Sequence, residues 1–273
     1  MIPASFDYVR VDTAEQAIAA LTERGDDAKL LAGGHSLLPL MKLRLATPAL
    51  LVDVGRLREL SYVRDAGDHV AVGALTRHCE LEKDLVALEH VPLLAHVAAQ
   101  VGDPQVRHRG TIGGSVAHGD PASDLPATVL ALGGTLVLRG PEGERTVAAA
   151  DFHHGFLETA LAPDEMLVEV RVPKMNGARW SFQKFNRRAQ DWAIVGVVAL
   201  HNGTTAVSLV NMGSVPIRAT AVEEAVARGD GATVAAEQAD VGTEPSSDVN
   251  ASSEYRRHLA RVLVRRALEE VGV

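Results

Sequence analysis

Two glycine-rich segments of the same grammar constrain this chain more than anything else in it. The first, Ala32-Gly33-Gly34-His35-Ser36-Leu37-Leu38-Pro39, follows the apolar run Lys29-Leu30-Leu31. The second, Thr111-Ile112-Gly113-Gly114-Ser115-Val116-Ala117-His118, continues into Gly119-Asp120-Pro121-Ala122-Ser123-Asp124. Paired glycines let a backbone turn tightly and approach a ligand closely. Their N–H groups, with the hydroxyls of Ser36, Thr111 and Ser115, form a concave donor surface suited to an anion. Two such surfaces facing each other would suit a diphosphate, such as the bridge of a dinucleotide. Either segment alone would most often be an ordinary turn. Two with matching chemistry shift the balance towards binding.

Competing chemistries find less support. Neither glycine segment completes the G-x-S-x-G elbow of a serine hydrolase, because Leu38 and Ala117 stand where its last glycine belongs. No G-x-G-x-x-G and no P-loop pattern occurs. His118 and the pair His153-His154 are possible metal ligands, or else loop histidines, and no third and fourth ligand follows at a suitable spacing. Cys79 is the single cysteine. It lies in a helical pattern and reads as a small buried hydrophobe. A lone cysteine excludes an internal disulfide and an all-cysteine iron–sulfur cluster. With no disulfide framework, the expected compartment is cytoplasmic, and no secretory pattern is read at the N-terminus. The formal charge of −8, spread along the chain, argues against general nucleic-acid or anionic-membrane binding. No uncharged apolar run reaches the length of a membrane span.

The 273 residues are 47% hydrophobic and only 4% aromatic, which predicts a Val, Leu and Ala core in one large or two to three small domains. Thr13-Ala14-Glu15-Gln16 resembles a capping box. Ala14, Ala17, Ile18 and Leu21 continue it at helical spacing until Gly25. Strands are expected at 28–31 and 50–54, giving a small α/β lobe over 1–57. Hairpins are expected around Asp65-Ala66-Gly67-Asp68 and Gly140-Pro141-Glu142-Gly143. Helical patterning covers 76–101 with a break near Pro92, and a strand runs from Met166 to Val172. Together these predict an α+β lobe over 58–175. A third unit, 176–273, carries three strand patterns (180–185, 193–200 and 205–210) and helices near 219–228 and 254–270. Residues 230–250 read as a mobile loop.

Three side chains carry two readings each. Asp124 is either a helix cap after Ser123 or a hydrogen-bond partner for a ligand's ribose or ring edge. Lys184 is either solvated on a strand or placed to stabilise negative charge on a reduced ring. Trp192 is either core or a cofactor neighbour.

The glycine segments, with Pro121-Ala122-Ser123-Asp124, Lys184 and Arg188-Ala189-Gln190-Asp191-Trp192-Ala193, resemble the FAD-binding medium subunits of the molybdenum hydroxylases. That family includes aerobic carbon monoxide dehydrogenase and bacterial xanthine dehydrogenase-type enzymes. The resemblance runs from about residue 3 to the C-terminus. It is strongest towards the carbon monoxide dehydrogenase branch over Ala32 to Leu45, and Ser115 replaces a commoner Asn. It implies an α+β fold: a two-lobed FAD-binding domain of the vanillyl-alcohol-oxidase/PCMH type, then a C-terminal α+β domain with a three-stranded antiparallel sheet. It implies FAD contacts at Lys29, Leu31, Ala32, Gly33, Gly34, His35, Ser36, Leu37, Thr111, Ile112, Gly113, Gly114, Ser115, His118, Ser123, Asp124, Leu167, Lys184 and Trp192. The amides of 33–36 and 111–115 are expected to grip the two sides of the diphosphate. No catalytic dyad and no metal is expected in this chain. The implied partners are a large subunit with the molybdenum cofactor and a small subunit with two [2Fe–2S] clusters, in a dimer of heterotrimers. The implied activity is oxidoreductase electron transfer through FAD to NAD, a quinone or oxygen. The alternatives are a stand-alone flavin oxidoreductase and a non-redox nucleotide-binding module.

Overall fold

The computed structural model describes residues 2–273. At the N-terminal end the capping signal acts as expected. The Thr13 hydroxyl accepts the Gln16 N–H at 3.2 Å, and the Gln16 side chain accepts the Asp12 N–H at 2.8 Å. Helix α1 (Ala14–Arg24) buries Ala14, Ala17, Ile18 and Leu21, and Gly25 ends it at φ +54°. It covers a parallel sheet in the order β1 (Asp7–Arg10), β3 (Leu50–Asp53), β2 (Ala28–Leu31). The short helix α2 (Leu37–Lys42) follows the first glycine segment, between β2 and β3.

The middle of the chain builds a five-stranded antiparallel sheet, β4 (Val63–Asp65), β5 (His69–Gly73), β6 (Thr135–Gly140), β7 (Gly143–Ala148) and β10 (Met166–Pro173), in the order β4-β5-β10-β6-β7. A two-stranded ribbon, β8 (His153–Gly155) with β9 (Glu158–Thr159), lies between β7 and β10 in sequence. The helical stretch expected over 76–101 is three short helices: α3 (His78–Leu81), α4 (Leu85–His90) and α5 (Pro92–Ala99). Pro92 starts α5 at a position where its missing N–H costs nothing. Then come α6 (Pro104–Arg107), α7 (Ile112–His118) and α8 (Asp124–Ala131).

The sheet is apolar on both faces, and a bulge sets which residue faces which way. Leu167, Val170 and Val172 join the core under α5, α7 and α8, whereas Met166 and Val168 join the core of the N-terminal lobe. Strict alternation would place 167 and 170 on opposite faces. The register shift between Leu167 and Glu169 brings them to the same one.

The C-terminal unit departs from the expected three strands. Its sheet has four, β11 (Arg179–Phe185), β12 (Val195–Asn202), β13 (Thr204–Val210) and β14 (Ile217–Arg218). The fourth pairs only Arg218 with Ser208 and Ile217 with Leu209, too short a run to leave a period-two pattern in sequence. Helices α9 (Thr220–Ala227), α10 (Ala232–Ala236) and α11 (Ser253–Glu270) cover one face. The stretch 230–250 is therefore not an uncommitted loop: it contains α10 and buries Ala235, Ala236 and Ala239 against α11. Small alanines pack closely there, which a reading of composition mistakes for loop character. On β12, Val195, Val197 and Ala199 face these helices, while Val198 and Leu200 join the core of the middle lobe. No helix among the described residues is long and apolar enough to cross a membrane.

Candidate functional site

The two glycine pairs, 80 positions apart in sequence, belong to segments that meet in space. A Cβ on Gly33 would collide with the Arg109 carbonyl and lie 2.9 Å from the Gly110 Cα. Only glycine permits this backbone-to-backbone approach. Gly34 has φ +79°, a left-handed turn at the end of β2. Among the described residues the N–H groups of Gly33, Gly34, His35 and Ser36 donate to no protein acceptor. Four adjacent amides on a strand-to-helix turn form an anion-binding concavity.

The second segment differs from its expected form. It is not a loop but helix α7, whose N-cap Thr111 accepts the Gly114 N–H on its hydroxyl at 3.1 Å. Its amides are largely engaged: Ile112 N–H donates to Thr76 O, Gly113 N–H to Ala74 O, and Ser115 N–H to Thr111 O. The expectation that the amides of 111–115 grip the ligand is corrected for Ile112, Gly113, Gly114 and Ser115. A short ladder against residues 74–76 and the helix itself consume them. The segment still presents the Thr111 N–H, which has no protein acceptor among the described residues, the Ser115 hydroxyl and the exposed, Cβ-free surface of Gly114. Gly113 is a packing glycine, since a Cβ there would sit 2.6 Å from the Ala74 carbonyl.

Past α7, Gly119 at φ +70° turns the chain towards α8. Asp124 is at the first position of α8 and 5% exposed, and its Oδ2 meets the Lys184 Nζ at 2.6 Å. Lys184 also donates to the Gln100 carbonyl at 3.1 Å. Lys184 is thus neither solvated nor alone; it forms a buried ion pair that ties β11 to α8. Burial pushes the Asp124 carboxyl above its ordinary range, against the pull of the Lys184 ammonium. Its Oδ1 is buried with no partner among the described residues, an acceptor the protein leaves unsatisfied.

The remaining expected residues scatter. Lys29 is exposed and Leu31 half-buried on β2, leading into Ala32; Leu37 opens α2. His118 ends α7 half-buried, its pKa lowered by burial. Ser123 makes no capping hydrogen bond. The Leu167 side chain is core rather than cleft. Trp192 is 61% exposed and lines an open cleft of about 770 Å³ that Asp120, Pro121 and Phe156 also line and that neither glycine segment lines. Cys79 is half-buried rather than fully buried, its sulfur 3.5 Å from His108 Nδ1. No cluster of metal-ligating side chains occurs among the described residues, and His153 bonds the Val116 carbonyl. Sequence reasoning passed over Arg77, His78, Arg109 and Gly110, which stand where the glycine segments touch. Gly110, directly before the second motif, was the available signal.

A paired-glycine contact between two lobes and a buried carboxylate oxygen with no protein partner among the described residues fit a dinucleotide-binding flavoprotein that holds FAD. Residues 4–175 match the family described as FAD binding domain in molybdopterin dehydrogenase, and residues 180–271 match the CO dehydrogenase flavoprotein C-terminal domain. The chain belongs to this family of FAD-binding medium subunits and is a flavoprotein subunit of a multi-subunit oxidoreductase. It is 40% identical to the carbon monoxide dehydrogenase medium chain of Hydrogenophaga pseudoflava, over 98% of this chain and 97% of that one. It is 36% identical to the glyceraldehyde dehydrogenase medium chain of Sulfolobus acidocaldarius, over the full length of both. Among solved structures, a carbon monoxide dehydrogenase from Hydrogenophaga pseudoflava superposes with TM-score 0.94, covering 99% of this chain and 98% of that one.

Proposed function

We propose that this chain is the FAD subunit of a carbon monoxide dehydrogenase-like molybdenum hydroxylase and assembles with a molybdenum-bearing large subunit and a [2Fe–2S] small subunit. The contact of Gly33 with Arg109 and Gly110 carries this reading, because it brings the first glycine segment against the backbone that leads into the second. When bound, FAD supplies the redox chemistry, accepting electrons from the partner clusters and passing them to NAD, a quinone or oxygen. The amides of 33–36 hold one side of the diphosphate. The Thr111 N–H and Ser115 hydroxyl hold the other. Asp124 Oδ1 would accept from a donor on the cofactor, and Lys184, pinned by Asp124, would lend positive potential beside the ring. Trp192 guards the cleft through which an acceptor approaches.

Native mass spectrometry with metal analysis of the untagged complex tests the proposal. FAD together with iron and molybdenum in two partner chains is the expected result. Flavin retained without partners would favour a self-contained oxidoreductase, and a colourless chain would favour a non-redox nucleotide module.

A further inference from the structure

Residues 74–78 run beside residues 110–113 as a splint: Gly113 N–H bonds Ala74 O, Ile112 N–H bonds Thr76 O, and His78 N–H bonds Gly110 O at 3.1 Å. At the end of this splint two side chains adjoin the glycine contact. Arg77 donates through Nη1 to the Arg109 carbonyl, the atom against which Gly33 packs. Its other terminal nitrogen faces Gly55, which lies against Asp53 and the Ala32 carbonyl in the N-terminal lobe. The guanidinium therefore bonds the middle lobe and stands beside Gly55 of the N-terminal lobe without bonding it, a two-sided placement its planar fork suits better than a lysine ammonium. The His78 ring lies under Gly110, where a Cβ would come 2.7 Å from Cδ2 and 2.8 Å from Nε2. His78 is 3% exposed, and its Nδ1 has no partner among the described residues.

We propose that Arg77 and His78 are positioning residues for the cofactor's diphosphate, fixing the distance between the 33–36 turn and the Arg109–Thr111 backbone. The inference rests on the FAD-cradle reading and adds residues that touch no ligand themselves. Arg77 draws the Arg109 carbonyl into place from above, and the His78 ring supports Gly110 from below. The charged and titratable groups that face His78 are Arg107, Arg77 and His35. A neutral imidazole adds no further positive charge to that group.

The test uses the full chain, stripped of flavin, in parent form and as Arg77→Met, Arg77→Lys and His78→Gln. FAD affinity is read by quenching of flavin fluorescence, ADP affinity by competition against FAD, and folding by thermal melting of the stripped chain. Losing the Arg77 hydrogen bond to the Arg109 carbonyl, or the His78 ring packed against Gly110, should weaken FAD and ADP by the same factor, about tenfold, with the melting temperature of the stripped chain unchanged. ADP carries the diphosphate without the flavin ring, so equal losses locate the defect in the cradle. Millimolar methylguanidinium should restore part of the affinity to Arg77→Met. Should Arg77→Met not fold, Arg77→Lys and His78→Gln decide the matter. FAD and ADP affinities within twofold of the parent would overturn the proposal. So would losses that merely track a lower melting temperature. A parent chain that takes up neither compound overturns the cradle reading itself.

Discussion

At Gly33 a single hydrogen atom separates function from collision. Gly33→Ala is expected to give a soluble chain with little bound flavin, because the new methyl must displace the Arg109–Gly110 backbone; visible absorbance per protein checks this. Gly114→Ala meets only the Thr111 hydroxyl, at 2.7 Å, and should retain more flavin than Gly33→Ala. His78 yields a pH prediction. Burial, then Arg107, Arg77 and His35, lower its pKa from 6.5 to about 4. Below 6.5 the unfolded chain binds a proton that the folded chain refuses, so stability falls as pH drops towards 4 and is complete above 6.5. The loss is roughly 3 kcal/mol at 1.4 kcal/mol per pH unit. Urea midpoints at pH 7 and 4.5 should differ less for His78→Gln than for the parent. The first motif was legible in sequence because its glycines end a strand. Arg77 and His78 were not, since their importance lies in what they touch 32 positions away.

Elements announced by caps were easily read. Thr13 with Gln16 starts α1, and Gly25 stops it. Helix α7 carried the same kind of start signal in Thr111 but was read as a loop, because two consecutive glycines oppose helix formation. Packing against Ala74 overrides that cost: residue 113 must lack a side chain for α7 to lie on the sheet. Thr111→Ala should therefore destabilise the chain by about 1 kcal/mol, seen as a lower urea midpoint, and should weaken FAD because α7 frays at its cofactor end. The two-residue strand β14 and the alanine-rich α10 escaped for a different reason. Their identity comes from partners, β13 and α11, rather than from any local period.

Across the molecule, the Lys184–Asp124 pair joins the C-terminal sheet to the middle lobe. Lys184→Met leaves Asp124 buried and unpaired, at a cost of about 3–5 kcal/mol. The double variant Lys184→Met with Asp124→Leu should recover much of that loss, measured by a denaturation series on all three chains. The mixed α+β character was visible in sequence from turn and strand signals. How the lobes interlock was not, because β12 is apolar on both faces and only the fold decides which residues face which core.

Every residue of α8 is buried. It rests on α5, α7, β12 and β13 together, so it belongs to no single lobe. A chain cut after residue 175 would leave this helix with a bare oily flank where β12 and β13 had been. Such a truncate should clump rather than bind flavin, which makes loading of the coenzyme wait for the last hundred residues to arrive.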